Sequence, residues 1–154
     1  MRHLKDIRII ILAVLITTAL LYIWSQVAKS TPKRFFMDEV TGEVSTRPVT
    51  AIPPLANAQG ELTIVGAVYF GSADCKSRTL AYLEKYSPEA KAALEAGSQS
   101  KLSDQERAMV IPAGYFIRSP APGSKWIHPW EPDGQRIVRD AQRANGGSMQ
   151  ICNP

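Results

Sequence analysis

Hydrophobic and polar positions follow two regimes along the chain. Residues 9–28 read IIILAVLITTALLYIWSQVA, and no charge interrupts them before Lys29. About 20 residues of helix rise roughly 30 Å, the thickness of a bilayer's hydrocarbon core, so a transmembrane helix is predicted over 9–28. Thr17 and Thr18 can return their hydroxyls to the helix backbone. Tyr22 and Trp24 fall near the far end, where amphipathic rings favour the headgroup level. A cleaved secretory signal has a similar outline. Its small-x-small site would cut after Ala28 and leave bulky Gln26 where a small residue is needed, and no lipobox cysteine is present. An uncleaved anchor is therefore expected, with a tail over 1–8, a juxtamembrane linker over 29–34 and a globular domain over 35–154.

Within the domain the pattern becomes short and mixed. Phe35, Phe36 and Met37 predict a strand, Thr41-Gly42 a turn, and Val44 onward the returning arm of a hairpin. Ile52-Pro53-Pro54-Leu55 is a stiff, extended connector. Residues 62–70, LTIVGAVYF, are apolar and β-branched on both faces, which predicts a central strand. Gly66 inside it implies close packing against that face. After a loop over 71–75, Leu80, Leu83 and Tyr86 recur every third residue, and a helix is expected there. Ser87-Pro88 is a helix start and Gly97 a stop. Ser103-Asp104-Gln105-Glu106 is a capping box opening one or two further turns. Residues 109–118 read as a strand with Pro112 near its start, 125–127 as another, and Asp133 as the cap of a last helix ending near Ala144. Residues 149–152 form a short closing strand. The class is α+β: a small mixed sheet of four to six strands with two to four helices.

Charge narrows the partners. Arg2, Lys5, Asp6 and Arg8 leave the first 28 residues at +2, so half of the chain's +4 belongs to the anchor. A domain so nearly neutral lacks the one-signed field of a nucleic-acid binder, and none is expected. The bilayer itself, through residues 9–28, is the first partner implied. Arg2, Lys5 and Arg8 on one flank nearly balance Lys29, Lys33 and Arg34 on the other, so the positive-inside rule says little. A short tail before an early apolar stretch favours the N-terminus in the cytoplasm and the domain periplasmic or otherwise extracytoplasmic.

Few residues offer chemistry. The two cysteines, Cys75 and Cys152, are too few for a disulfide scaffold. With His128 they make a trio whose spacing recommends no zinc site, so no metal or cofactor is expected. Cys75 stands where the pattern predicts a strand giving way to a helix, a setting that would activate its thiol, with Lys76 and Arg78 helping and Asp74 opposing. In an exported domain the competing outcome is a disulfide with Cys152, worth roughly 4 kcal/mol in the chain-entropy model. His128 in WIHPW lies between Trp126 and Trp130. Trp126, His128 and Trp130 could present a binding surface beside Arg136 and Arg139, or simply close over a small core. A Cys75–His128 dyad is the least supported arrangement.

Two resemblances follow. VYFGSADCK, with Val110-Ile111-Pro112 ahead of AGYFIR, resembles the active-site turn and proline-led strand of thioredoxin-like proteins across residues 62–144. That resemblance implies a strand-to-helix turn at Cys75. Ser72 stands where the first cysteine would be, so the family's two-thiol chemistry is not available. Over nearly the whole chain, FFMDEVTGEV, AIPPL, VYFGSADC, AYLEKYSPEAK and KWIHPWEPDGQRIV after an N-terminal apolar helix are similar to a group of uncharacterised single-pass membrane proteins of planctomycete-type bacteria. This resemblance implies architecture and setting only. The chain departs from the group at Gly71 and Ser72, where a second cysteine would stand.

The functional expectation is a membrane-anchored domain with a non-enzymatic structural or partner-binding role. A thioredoxin-like or other thiol-dependent redox protein using Cys75 is the rival. An accessory subunit of a membrane complex is a third possibility.

Overall fold

The computed structural model describes residues 15–22, 24, 31–147 and 150–154. Two compact units divide the chain, Met1–Pro32 and Lys33–Pro154. In the first, residues 15–22 and 24 are helical. Thr18 donates its hydroxyl to the Leu15 carbonyl at 3.0 Å, the return to backbone that keeps threonine tolerable in an apolar helix. No helix among the described residues is long and apolar enough to cross a membrane. The tail over 1–8 and the rest of the predicted span, 9–14, 23 and 25–28, lie outside the described residues.

The second unit is an α+β domain. Its strands are β1 (Lys33–Asp38), β2 (Val44–Pro48), β3 (Ile64–Gly71), β4 (Arg78–Tyr86), β5 (Tyr115–Arg118) and β6 (Gln150–Cys152). Its helices are α1 (Pro88–Ala96), α2 (Asp104–Ala113) and α3 (Pro132–Ala144), with a 3-10 turn at Gly97–Gln99 after α1. The order across the sheet is β2-β1-β3-β4-β5, and β6 also pairs with β3. Every strand pair is antiparallel, which corrects the expected mixed sheet. The reason lies in the connections. Where a single crossover helix would carry the chain to the sheet's far end, α1 and α2 form an out-and-back pair. The chain therefore leaves at Tyr86 and returns at Tyr115, its register partner.

Several local signals act as expected. Asp38 accepts from the Val40 amide at 2.9 Å and Gly42 takes φ +73°, closing the β1–β2 hairpin. β3 is central, flanked by β1 and β4. Ser87 caps α1 ahead of Pro88, and Ser103 and Glu106 complete the reciprocal capping box of α2.

Three elements differ from expectation. Residues 78–86 form β4 rather than a helix, because Ala81 is the extra residue of a β-bulge. Tyr82 pairs with Val68 and Leu80 with Tyr69, and Ala81 has no partner on β3. The bulge puts Leu80 on the same face as Leu83, and that three-residue spacing imitates a helix. No helix begins at Cys75 either. The 71–77 segment is a tight strand-to-strand loop in which the Cys75 amide bonds the Ser72 carbonyl at 2.8 Å. Finally, residues 109–113 complete α2, with Pro112 in its last turn, and β5 starts only at Tyr115. For α3 the N-cap is Glu131, since Pro132 takes the first helical position, and Asp133 pairs with Arg136 instead.

One sheet face carries the Phe35, Val65, Ala67 and Leu83 core, bordered by Met37, Tyr69, Leu80 and Trp126. Phe36 and Ile117 are buried on the opposite face. Cys75 and Cys152 are joined in a disulfide that ties the β3–β4 loop to β6 across a separation of 77 residues. Its reduction should lower the domain's unfolding free energy by about 4 kcal/mol, the closure entropy of so long a loop. Denaturant unfolding with and without a reductant checks this.

Candidate functional site

The predicted site residues do not gather in one place. Neither cysteine carries a free thiol, since each is the other's partner. Trp126 borders the core face, with the Lys85 ammonium 4.3 Å and the Arg118 guanidinium 4.9 Å from its ring centroid. His128 instead stacks on Trp130 at 5.2 Å and lies 4.4 Å from Phe116, and its Nδ1 is 3.1 Å from the Tyr115 carbonyl. Trp126 and Trp130 thus serve different contacts: the first closes the core and the second is exposed. Arg136 is held by Asp133, and Arg139 reaches Gln135 at 3.4 Å. The arrangement offers His128 no thiol partner. Among the described residues no group of three or more His, Cys, Asp or Glu is placed to hold a metal.

The concentrated polar chemistry lies elsewhere, around Glu84 in β4. Glu84 faces away from the Leu83 core and is 9% exposed. Gly66, its register partner on β3, makes room for it: a Cβ there would stand 2.6 Å from Glu84 Cγ. Arg34 of β1 donates to Glu84 Oε1 at 2.6 Å and to the Ala51 carbonyl at 3.0 Å. Tyr115 of β5 donates to Oε2 at 2.6 Å. Tyr82, two residues before Glu84, hydrogen-bonds Tyr115 in turn, and Tyr86 stacks against the Tyr115 ring at 5.2 Å. Each carboxylate oxygen therefore has a charged or hydroxyl donor.

This packing fixes the protonation of the tyrosines. Burial, then the Glu84 charge and its hydrogen bond, push Tyr115 far above the usual tyrosine range. Burial and the Glu84 charge also raise Tyr82, with the hydrogen bond it shares with Tyr115 opposing them. Tyr86 is raised by burial and Glu84, against the nearby Arg34. The hydroxyls stay protonated, and that of Tyr115 donates to Glu84. Beside them opens a cavity of about 430 Å³, lined by Arg34, Val49, Tyr82, Glu84, Tyr115 and Asn153 among others. The cavity thus borders a closed Arg34–Glu84 ion pair and a Tyr115 hydroxyl whose surroundings hold it neutral. No family model, no curated protein and no solved structure matches this chain.

Neither Glu84 nor Tyr115 stood out in the sequence. The available signal was Tyr82, Glu84 and Tyr86 at i, i+2 and i+4, the period of one strand face. Arg34, counted there as a membrane-flank charge, is the remaining member.

Gly66→Ala should destabilise the domain by about 2 kcal/mol, since the methyl meets Glu84. In a Glu84→Ala background the same change should cost little, and a double-mutant cycle by denaturant unfolding measures that coupling. The tyrosines carry a pH signature. A pKa raised on folding gives stability that is full below the unfolded value near 10 and declines as pH climbs above it. Tyr82 and Tyr115 should each add a decline of up to about 1.4 kcal/mol per pH unit above 10. Tyr115→Phe should remove one such contribution, which unfolding curves between pH 9 and 12 resolve.

Proposed function

We propose that the chain is a membrane-tethered, non-enzymatic binding domain on the outer face of a cytoplasmic membrane. In this view residues 9–28 span the bilayer, the 1–8 tail is cytoplasmic and the domain from residue 35 meets a protein partner outside. The observation that carries the setting is the Cys75–Cys152 disulfide, because such bonds persist on the oxidising side of a membrane and are rare in the cytosol. The uncharged apolar stretch before Lys29 supports the tether. Support for binding over catalysis comes from Glu84, whose oxygens are both occupied, and from tyrosines kept neutral.

Acid-quenched cells alkylated before and after reduction test this reading. Both cysteines should resist labelling until a reductant is added. An impermeant maleimide applied with an impermeant reductant should then reach them in intact cells. A free, fast-reacting Cys75 thiol in the native protein would favour the redox reading instead, and turnover lost on Glu84→Gln would defeat the non-enzymatic one.

A further inference from the structure

The β4 strand is longer than its neighbour on one side. It runs over Arg78–Tyr86, while β5 pairs only with Leu83, Glu84, Lys85 and Tyr86. From Arg78 to Tyr82 the strand has a named partner on the β3 side alone. The cause is legible in the chain: β5 stops at Arg118, and Ser119-Pro120-Ala121-Pro122 follows. Proline has no amide hydrogen and cannot continue a ladder, so the chain turns off and leaves half of the β5 lane unfilled. It touches the sheet again at Ile127, which bridges Ile117 on the far side of β5.

Beside this stretch lies a groove of about 570 Å³, which Ser119, Ser124 and Lys125 of the connection after β5 also line. One wall is the β4 edge at Thr79, Leu80 and Ala81; the other is α3, through Ile137 and Ala141. A strand edge facing a helix across an open cleft is the geometry in which an extended peptide adds as one more strand. Main-chain bonds then supply affinity, and alternate side chains fill the cleft. The segment offers about five residues, or roughly 16 Å of edge.

Charge indicates what such a peptide carries. Of the charged side chains lining the groove, Asp133 pairs with Arg136 at 2.9 Å and Asp140 with Arg143 at 3.6 Å. Lys125 has no ion-pair partner among the described residues. An incoming acidic side chain would complete it, whereas a basic one would add an unpaired like charge.

We infer that the groove between the β4 edge and α3 binds an extended segment of a partner protein by strand addition, with an acidic side chain of that segment meeting Lys125. The inference rests on the reading of this domain as a partner-binding module and supplies the partner's chemistry. Pro120 and Pro122 keep the chain's own β5 from occupying the site.

The test uses the full chain in lipid nanodiscs and fluorescent capped peptides of about eight residues, enough to cover the open edge. Their valines and threonines alternate, with one glutamate moved through every position, and a matched set carries glutamine. Glutamate peptides should bind about fivefold tighter than their glutamine partners, and Lys125→Glu should reverse that order. N-methylation of alternate peptide residues, which removes ladder donors, should weaken binding at least about tenfold. Ala141→Arg, which fills the cleft, should do the same. The inference is overturned if no peptide of the set binds, if the N-methylated forms bind as well, or if Ala141→Arg leaves binding unchanged. The N-methyl comparison needs no variant to fold. The broader partner-binding reading fails on a separate result: a chain that leaves its native membrane in mild detergent as a lone monomer.

Discussion

The domain is organised around the burial of one carboxylate. Removing a charged carboxyl from water costs several kcal/mol unless a counter-charge and hydrogen bonds meet it. Glu84 obtains both, from Arg34 on β1 and Tyr115 on β5, while Gly66 on β3 gives up a side chain to make the space. One residue of β4 thus fixes its relation to three other strands. A slip of β4 by one position would turn Glu84 toward Phe35, Val65 and Ala67, where no donor waits, and would bring Leu83 out among the tyrosines. The pair need add little net stability to achieve this. Its effect is to make competing registers expensive.

The same cluster shows why the sequence was legible in some places and opaque in others. Signals confined to a few adjacent residues could be read directly: the Asp38–Gly42 turn, the Ser87-Pro88 cap, the Ser103–Glu106 box and the doubly apolar β3. With only two cysteines, one intramolecular pairing was possible, so the disulfide was legible once an oxidising setting was assumed. β4 was misread because its bulge at Ala81 puts Leu80 and Leu83 on one face at helical spacing. A period-based reading cannot separate that pattern from a helix turn, although Tyr82, Glu84 and Tyr86 kept the two-residue period. Pro112 misled differently. Proline near the start of 109–118 predicts a strand opening, yet the capping box at Ser103 starts a helix that holds Pro112 in its last turn.

The candidate site was opaque for a further reason. Arg34, Gly66, Glu84 and Tyr115 come from four strands, and only register places them together. Arg34 beside the apolar stretch looks like a membrane-flank charge, and its tie to a carboxylate 50 positions away has no local signature. The helix start expected after Cys75 was misleading for the opposite reason: it rested on one local feature, and residues 71–77 form a loop between β3 and β4. Once Cys75 is bound to Cys152, its role becomes holding β6 against β3 at the Tyr69 register pair, next to the Glu84 cavity.

The two flanks of β4 now contrast in a way that bears on function. The Glu84 network ties the strand to β1 and β5 through Arg34 and Tyr115, and within it the buried Arg34 Nε has no hydrogen-bond partner among the described residues. Toward α3 the strand is unfinished, because prolines cut β5 short. An open edge is ordinarily a hazard, since it invites pairing with any extended chain. Here α3 lines the groove beside that edge, through Asp133, Arg136 and Asp140 among others. The rigidity set by Glu84 and the availability of that edge are therefore complementary. A strand whose register cannot slip presents its free edge in one fixed frame, which is the preorganisation that strand addition requires.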